Sequence, residues 1–434
     1  MIYSFFKNKL FNSKIINDSF WAVFGNGFGN AIMLLSGIII ARCLGSDLYG
    51  QYGIVKTTMF HIAAFSTFGL GYTSTKFVAE YIQINQSYIN NIVKSSVYIT
   101  LFTSFLLAIS LFIFSNAIAL FVNSPDSASC FKYLAIIIIF RAINTVTAGI
   151  LGGFKCYKIL GINNIISSLL MLLFSSILTF YFSLNGSLVA LLLSQIILSI
   201  LNLCHLYKLL KGFTKASKGF YLVLLKFSYP IAMQEFTYFV SALLSPLLII
   251  RYSSAAEYGI YTACAQWNSV ILFIPTLLSN VVLSYLSSSH AINYQEHNSI
   301  FKKMLIINLL CALIPFFIVL ALSNIIENMY GRTFDGMSPV LNILVFSSVF
   351  VCCSSVFTNK MISEGRNWLL FILRGIRDVL GVLLLFILLE TTQGVNVAFN
   401  YALLSIFISF IFLVLLIMVH CISFKRTNNR LNSP

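Results

Sequence analysis

Charged residues are scarce in this chain. Only 9% of its 434 residues are Asp, Glu, Lys or Arg, whereas a soluble domain has about a quarter. Hydrophobic residues make up 59%, and the mean hydropathy is +0.92. This composition excludes soluble globular, disordered and collagen-like proteins. Because a helix needs about 20 apolar residues to cross the hydrocarbon of a bilayer, the apolar share is enough for about twelve spans.

Familiar catalytic and metal-binding motifs are also missing. The sequence has no Walker loop, no nucleophile elbow, no zinc helix motif, and no predicted outer loop longer than about 20 residues to hold a catalytic site. The nine cysteines have neither disulfide nor metal-ligand spacing and are interpreted as small packing residues. An enzyme is therefore disfavoured, and no cofactor or metal is expected.

The net charge of +15 would indicate nucleic-acid binding in a soluble protein. Here the basic residues lie between apolar runs, where they set orientation in a membrane. Counted over alternate loops, eighteen Lys and Arg lie on the side of the N-terminus and four on the opposite side. Both termini are therefore predicted to be cytoplasmic, and no nucleic-acid partner is expected.

Twelve apolar runs reach spanning length. They lie at residues 20–41, 53–75, 95–114, 133–152, 160–182, 188–207, 227–250, 258–287, 304–325, 339–362, 368–389 and 397–420. Only helices and closed barrels satisfy their backbone hydrogen bonds in lipid, and continuous apolar runs lack the in-out alternation of barrel strands. The predicted fold is an all-α integral membrane protein of twelve transmembrane helices.

An internal repeat divides these helices into two halves. Tyr49-Gly50-Gln51-Tyr52 recurs as Tyr258-Gly259-Ile260-Tyr261, an offset of 209 residues, each after the first helix of its half. Halves with an even number of spans keep the same orientation, so the repeat is parallel. The predicted organisation is an N-lobe of helices 1–6 at 1–207, a basic cytoplasmic linker at 208–226, and a C-lobe of helices 7–12 with a cytoplasmic tail at 227–434.

Five cations and two acids lie within the predicted spans. They are Lys56, Arg141, Lys360, Arg374 and Arg377, with Glu235 and Asp378. Arg141 lies about eight residues inside helix 4, too deep to snorkel, and heads a polar stripe with Asn144, which favours a lumen-facing position. Lys56 and Lys360 lie near helix ends, where snorkelling and lumen-facing positions fit equally.

Helix 11 carries three charges on one face. Arg374 and Asp378 are four residues apart and are expected to pair, which leaves Arg377 as the more available cation. The alternative is a structural ion pair between helices.

Polar residues on helices 2 and 7 are further candidates. Glu235 lies in a stripe with Gln234 and Tyr238, where it would either carry protons or neutralise a buried arginine. His61 is a candidate because a histidine side chain ordinarily titrates near neutrality, although a lone histidine on a helix is more often a packing residue. Coupling to H⁺ or Na⁺ stays open. Ser354, Ser355 and Thr358 on helix 10 suit either a wet lumen or contacts between helices.

Three short motifs carry a family resemblance. They are Leu44-Gly45-Ser46-Asp47-Leu48-Tyr49-Gly50-Gln51-Tyr52, Phe68-Gly69-Leu70-Gly71 with Lys76, and Gly152-Gly153-Phe154-Lys155. With them the chain resembles the Wzx-type oligosaccharide flippases of the MOP superfamily, which also holds the MATE exporters. The resemblance implies a MATE-like bundle of two six-helix lobes whose cationic cavity opens alternately to each side. It also implies a bacterial inner-membrane protein that flips undecaprenyl-pyrophosphate-linked oligosaccharide, an O-antigen or similar repeat unit, to the periplasmic leaflet.

The resemblance gives the intramembrane cations a role. Arg141 and Arg377 would bind the pyrophosphate, with Arg374, Lys56 and Lys360 as weaker candidates, because a guanidinium matches phosphate oxygens. Polar stripes would receive sugar hydroxyls. Expected partners are membrane lipids and, among proteins, a polysaccharide polymerase and a chain-length regulator.

Two other functions share this composition. A drug or metabolite exporter of the same fold would need acids for cationic cargo, but only Glu235 and Asp378 are available, and helix 1 has none. A polysaccharide polymerase or ligase would carry a large catalytic outer loop, and the loops here are short.

Overall fold

The computed structural model describes residues 13–84, 88–124, 127–210, 220–276 and 294–431, and within these ranges every regular element is helical. The elements are α1 (Ser13–Ser66), α2 (Leu70–Ile84), α3 (Ile89–Phe121), α4 (Ala128–Gly153), α5 (Tyr157–Leu210), α6 (Phe220–Tyr252), α7 (Ala255–Ile271), α8 (Tyr294–Tyr330), a 3-10 turn (Arg332–Phe334), α9 (Met337–Ser363), α10 (Asn367–Thr392) and α11 (Val397–Leu431). The predicted all-α fold is confirmed.

Eight of the helices are long and apolar enough to cross a membrane, namely α1, α3, α4, α5, α6, α8, α9 and α11. Their apolar length far exceeds what a soluble core of this size requires. The chain is therefore a multi-pass membrane protein, as its composition predicts.

Two helices are interrupted in the middle. Both α1 and α5 have 54 residues, which would be about 80 Å if straight, more than a bilayer is thick. Gly45 interrupts α1 with a φ of 73° and a ψ of 171°, and Ser183 interrupts α5 with a φ of 51° and a ψ of −131°. Each long helix therefore consists of two arms.

The two arms of α5 run antiparallel. Asn163 Nδ2 donates to Asn202 Oδ1 at 2.9 Å, and Ser167 Oγ donates to the Ser194 carbonyl oxygen at 3.0 Å. Residues far apart in sequence therefore meet side by side, with the chain reversal at Ser183. Each arm has the length of one membrane span.

The predicted second helix, 53–75, is wrong as a single helix. Helix α1 ends at Ser66 and α2 begins at Leu70, and between them Phe68 and Gly69 have φ values of 55° and 73°. A Cβ on Gly69 would lie 2.8 Å from Ile231 Cβ, so both conformation and space require glycine here. An apolar run does not reveal such a left-handed break.

The predicted eighth helix, 258–287, begins within α7, which ends at Ile271. Residues 277–287 of that run lie outside the described ranges.

The chain divides into two compact units. Unit 1 contains Met1–Leu44 and Gln51–Leu247, and unit 2 contains Gly45–Gly50 and Leu248–Pro434. The predicted lobes and linker stay a prediction, because most of the linker, residues 211–219, is outside the part of the chain that the structure describes.

In unit 1, glycines bring α2 and α4 into backbone contact. A Cβ on Gly149 would lie 2.1 Å from the Gly71 carbonyl oxygen, and Thr75 Oγ1 donates to the Gly149 carbonyl oxygen at 2.8 Å. Leu70 and Ile150, both fully buried, belong to the apolar core beside this contact. The two helices can approach this closely only because neither glycine has a side chain.

In unit 2, the two copies of the sequence repeat pack on each other reciprocally. A Cβ on Gly50 would lie 1.8 Å from the Ala255 carbonyl oxygen, and a Cβ on Gly259 would lie 2.1 Å from the Ser46 carbonyl oxygen. Ser46 and Ala255 are themselves 209 residues apart, the offset of the repeat. The repeat therefore encodes a symmetric backbone crossing.

Two carboxylates hold the starts of α9 and α11 in unit 2. Glu327 accepts hydrogen bonds from Gly336 N at 2.9 Å and Ser338 N at 2.7 Å, and Glu257 accepts one from Ala398 N at 2.6 Å. Carboxylates at helix N-termini satisfy unpaired N–H groups and complement the helix dipole. Both helices are thus anchored at one end.

Candidate functional site

A cavity of about 180 Å³ lies among α9, α10 and α11 of unit 2. It is lined by Val351, Ser354, Ser355, Thr358, Arg374, Arg377, Ser409 and Phe412. Four hydroxyls and two guanidiniums therefore surround one space within segments that are otherwise apolar.

The spacing of residues on α9 produces the hydroxyl wall. Positions 351, 354, 355 and 358 share one helix face. Ser355 Oγ donates to the Cys352 carbonyl oxygen at 2.7 Å and Thr358 Oγ1 to the Ser355 carbonyl oxygen at 2.8 Å. Ser354 Oγ is buried and has no hydrogen-bond partner among the described residues. Since such a hydroxyl is costly to leave unsatisfied, it is available to a bound group.

Asp378 holds one of the two arginines. Arg377 Nε donates to Asp378 Oδ1 at 2.8 Å, and Arg377 Nη2 lies 2.7 Å from the same oxygen. The guanidinium carbon also lies 4.9 Å from the centre of the Phe412 ring, within the range of a cation–π interaction.

This pairing corrects the expectation for helix 11. The spacing predicts that Asp378 pairs with Arg374 and leaves Arg377 as the more available cation. The structure pairs Arg377 with Asp378, so Arg377 is not left free, and Arg374 has interaction partners as well. Adjacent residues on a helix point in different directions, but the long arginine side chain folds back to reach its neighbour's carboxylate.

The charge of the cavity lining favours an anion. The lining residues include two arginines and no carboxylate. Arginine offers a planar fork of N–H donors that matches carboxylate and phosphate oxygens. The Ser354 hydroxyl, which has no hydrogen-bond partner among the described residues, adds a neutral donor at the same site. The arrangement therefore suits an oxyanion.

Arg141 forms a second cationic position, within unit 1. Its guanidinium carbon lies 4.2 Å from the centre of the Phe60 ring, and its Nε is buried without a hydrogen-bond partner in the described part of the chain. Burying an arginine without a carboxylate in a membrane segment is costly. The side chain therefore retains binding capacity for an anion.

Asn144, one turn from Arg141, is engaged in helix packing. Its Nδ2 donates to the carbonyl oxygen and to Oε1 of Gln195, both at 3.1 Å, and its Oδ1 accepts from Ser199 Oγ at 2.9 Å. These bonds join α4 to the second arm of α5.

The polar candidates from predicted helices 2 and 7 lie on α1 and α6 of unit 1, namely His61, Gln234, Glu235 and Tyr238. The ring of His61 meets the ring of Tyr238 edge to face, with centres 4.6 Å apart. Gln234 and Glu235 are half-buried on α6, and Glu235 has interaction partners. The structure thus brings His61 and Tyr238 together.

The two predicted lysines lie outside the cavity lining. Lys360 is only 2% exposed, and its Nζ lies 4.5 Å from the centre of the Phe301 ring. Lys56 is half-buried, with its Nζ 6.0 Å from the centre of the Tyr52 ring.

Ser409 and Phe412 of α11 are the lining residues that sequence reasoning missed. They lie in a mostly apolar run, where isolated serines give little signal. The spacing of Ser405 and Ser409, four residues apart on one helix face, is the pattern that could have indicated this position.

The sequence profile of the polysaccharide biosynthesis protein family matches residues 15–290, more than half of the chain. The chain belongs to this family. This match bears out the predicted family resemblance. No curated protein matches the chain.

Solved structures with the same fold are transporters. The polysaccharide biosynthesis protein superposes on an inward-facing multidrug resistance MATE family transporter of the MOP superfamily with a TM-score of 0.77, at 14% identity over 90% of this chain and 94% of the other. A MOP superfamily transporter from Pyrococcus furiosus, described as having a binding pocket of reversed polarity, matches with a TM-score of 0.64 at 15% identity over 93% and 95%. The chain therefore has the MATE fold.

Proposed function

We propose that this protein is a flippase that moves undecaprenyl-pyrophosphate-linked oligosaccharide, an O-antigen or similar repeat unit, from the cytoplasmic to the periplasmic leaflet of the bacterial inner membrane by alternating access. The observation that carries the proposal is the cavity in unit 2, where Arg374 and Arg377 meet serine and threonine hydroxyls within membrane-spanning helices. The family match to polysaccharide biosynthesis proteins supports a saccharide cargo.

The proposed mechanism uses the fixed cations to bind the pyrophosphate. A pyrophosphate that enters a partly dehydrated cavity exchanges its water for guanidinium donors, which is favourable where the dielectric constant is low. Arg141 in unit 1 is the second proposed pyrophosphate ligand, supported by its unpartnered Nε. The polyprenyl tail stays in lipid, and the hydroxyl and amide stripes receive the sugars.

The proposed topology has twelve transmembrane segments in two six-helix lobes with both termini cytoplasmic. The proposal counts two arms each for α1 and α5 and one segment each for α3, α4, α6, α7, α8, α9, α10 and α11. Of these, α7 and α10 are not among the eight helices that are long and apolar enough to span a membrane by themselves. An even number of spans agrees with the basic residues counted on the side of the termini.

The fold match also brings a second candidate, a multidrug exporter, because a similar solved structure is a multidrug resistance transporter. Cationic drugs require acidic groups at the site, whereas the cavity in unit 2 is lined by two arginines and no acid. The charge of the cavity therefore favours the flippase.

The test is transfer of a fluorescent polyprenyl-pyrophosphate saccharide across proteoliposomes that contain the purified protein. Arg377→Ala and Arg141→Ala remove the proposed ligands, and Arg332→Ala removes an exposed arginine of unit 2 outside the cavity as a matched control. We expect transfer by the parent and the control, and about a hundredfold slower transfer by Arg377→Ala or Arg141→Ala, as for the loss of a charged hydrogen bond.

Equal transfer by all four proteins would contradict the assignment of the two arginines. Export of a small organic cation without transfer of the lipid-linked saccharide would replace the flippase with the exporter.

A further inference from the structure

Asp378 contacts Arg377 without lining the cavity itself. The lining includes Arg377 but not Asp378, and the side chain of Asp378 is 9% exposed compared with 28% for Arg377. A single carboxylate oxygen, Oδ1, receives both Arg377 Nε and Arg377 Nη2. Arg377 therefore lines the cavity, whereas Asp378, which does not, is the more enclosed side chain of the pair.

The Phe412 ring also contacts this guanidinium, whose carbon lies 4.9 Å from the ring centre. The ring belongs to α11 and the carboxylate to α10, so two helices fix the orientation of one cation. Phe412 is uncharged, so of these two contacts only Asp378 changes the net charge with which the site attracts an anion.

Two arginines at one membrane-embedded site create a problem for a transporter. In a low dielectric they would bind a multiply charged anion so tightly that its release becomes slow. Transport requires binding that is favourable enough for entry and weak enough for exit. A permanent carboxylate next to one guanidinium lowers the net positive charge and so weakens the hold on the anion.

We propose that Asp378 is a positioning residue that acts as a resident counter-ion for Arg377, weakening anion binding in the cavity so that the cargo can leave. The inference rests on the proposed function, because it gives Asp378 a role in releasing the same anionic cargo. It differs from a purely structural ion pair, which would predict equal or weaker anion binding once the carboxylate is lost.

Binding of inorganic pyrophosphate to the purified full-length protein in lipid nanodiscs tests the proposal by calorimetry. Asp378→Asn keeps the shape of the side chain and removes its charge. We expect its Kd for pyrophosphate to be about tenfold lower than that of the parent. The matched control is Glu364→Gln, because Glu364 also pairs with an arginine of unit 2, Arg366 at 3.2 Å, outside the cavity lining. Its Kd should equal that of the parent.

A double-mutant cycle shows whether Asp378 acts through Arg377. The gain in affinity caused by Asp378→Asn should disappear in an Arg377→Gln background, because the cation that the carboxylate attenuates is gone. If Asp378→Asn alone fails to fold, the double variant still serves for the comparison with Arg377→Gln, because it removes both charges of the pair and leaves neither unbalanced. A double variant that binds pyrophosphate differently from Arg377→Gln would overturn the proposal.

Transfer kinetics give an independent readout. Asp378→Asn should lower both KM and kcat for the fluorescent lipid-linked saccharide, because tighter binding slows release. An unchanged or higher Kd in Asp378→Asn would overturn the counter-ion role and leave the flippase proposal intact. A parent protein that binds no pyrophosphate would overturn both.

Discussion

The two units bury an arginine in different ways. In unit 1, Arg141 lies on Phe60 with its Nε unpartnered among the described residues. In unit 2, Arg377 is bonded to Asp378 and lies beside Phe412. An unpaired cation is held at the expense of stability, whereas a paired one is stable when the site is empty. The difference teaches that one fold can accommodate an arginine within its membrane-spanning helices in two ways.

Close glycine packing, in contrast, occurs in both units. Gly71 and Gly149 bring two helices together in unit 1, and Gly50 and Gly259 do so in unit 2. The two units therefore share close backbone contacts and differ in how their arginines are paired. Substitutions at the glycines and at the arginines test these two properties separately.

The largest expected effect is that of Arg377→Ala on stability. The substitution leaves the buried Asp378 carboxylate without its cation, which should lower the free energy of unfolding by about 3 kcal/mol. Thermal unfolding of the purified protein in detergent measures the loss. Arg377→Ala combined with Asp378→Ala is the control and should recover most of it. A melting temperature of Arg377→Ala equal to that of the parent would show that the ion pair contributes nothing to stability.

Next in size is the effect of adding a methyl group at the glycine contacts. Gly149→Ala places a Cβ 2.1 Å from the Gly71 carbonyl oxygen and Gly259→Ala one 2.1 Å from the Ser46 carbonyl oxygen. The backbones must separate, so each variant should lose about 2 kcal/mol of stability.

A matched control exists one turn from Gly149. At Gly152 the nearest atom to a new Cβ is Thr75 Cγ2 at 3.9 Å, an ordinary contact. Gly152→Ala should therefore gain up to about 1 kcal/mol from helix propensity. Equal melting temperatures for Gly149→Ala and Gly152→Ala would argue against the close backbone contact.

The smallest effect should be that of Arg141→Met, and it should have the opposite sign. Methionine keeps the length of the side chain and removes an unpaired charge from the membrane, so stability should rise by about 1 kcal/mol. Transfer of the lipid-linked saccharide should nevertheless be lost. A destabilised Arg141→Met would mean that the arginine is a structural element like Arg377.

Composition predicted the helices because lipid leaves few alternatives, and intramembrane position singled out Arg141 and Arg377 because charge is rare there. The break at Phe68 and the reversal at Ser183 were not predictable from apolar runs, since neither residue is a typical helix breaker. The partner of Asp378 depended on the path of a flexible arginine side chain, which residue spacing does not determine. Ser409 had no polar neighbour in sequence, and only packing reveals that it faces the same space as Ser354.

The reciprocal crossing of Gly50 and Gly259 also constrains how the two copies of the motif can change. Each glycine makes room for the backbone of the other copy, as in the isologous interface of a symmetric dimer. Had the copies begun as one half-length chain that paired with itself, this crossing would have been its dimer contact. After fusion, Gln51 and Ile260 could diverge independently, whereas a side chain gained at either glycine would collide with the other half of the same gene product.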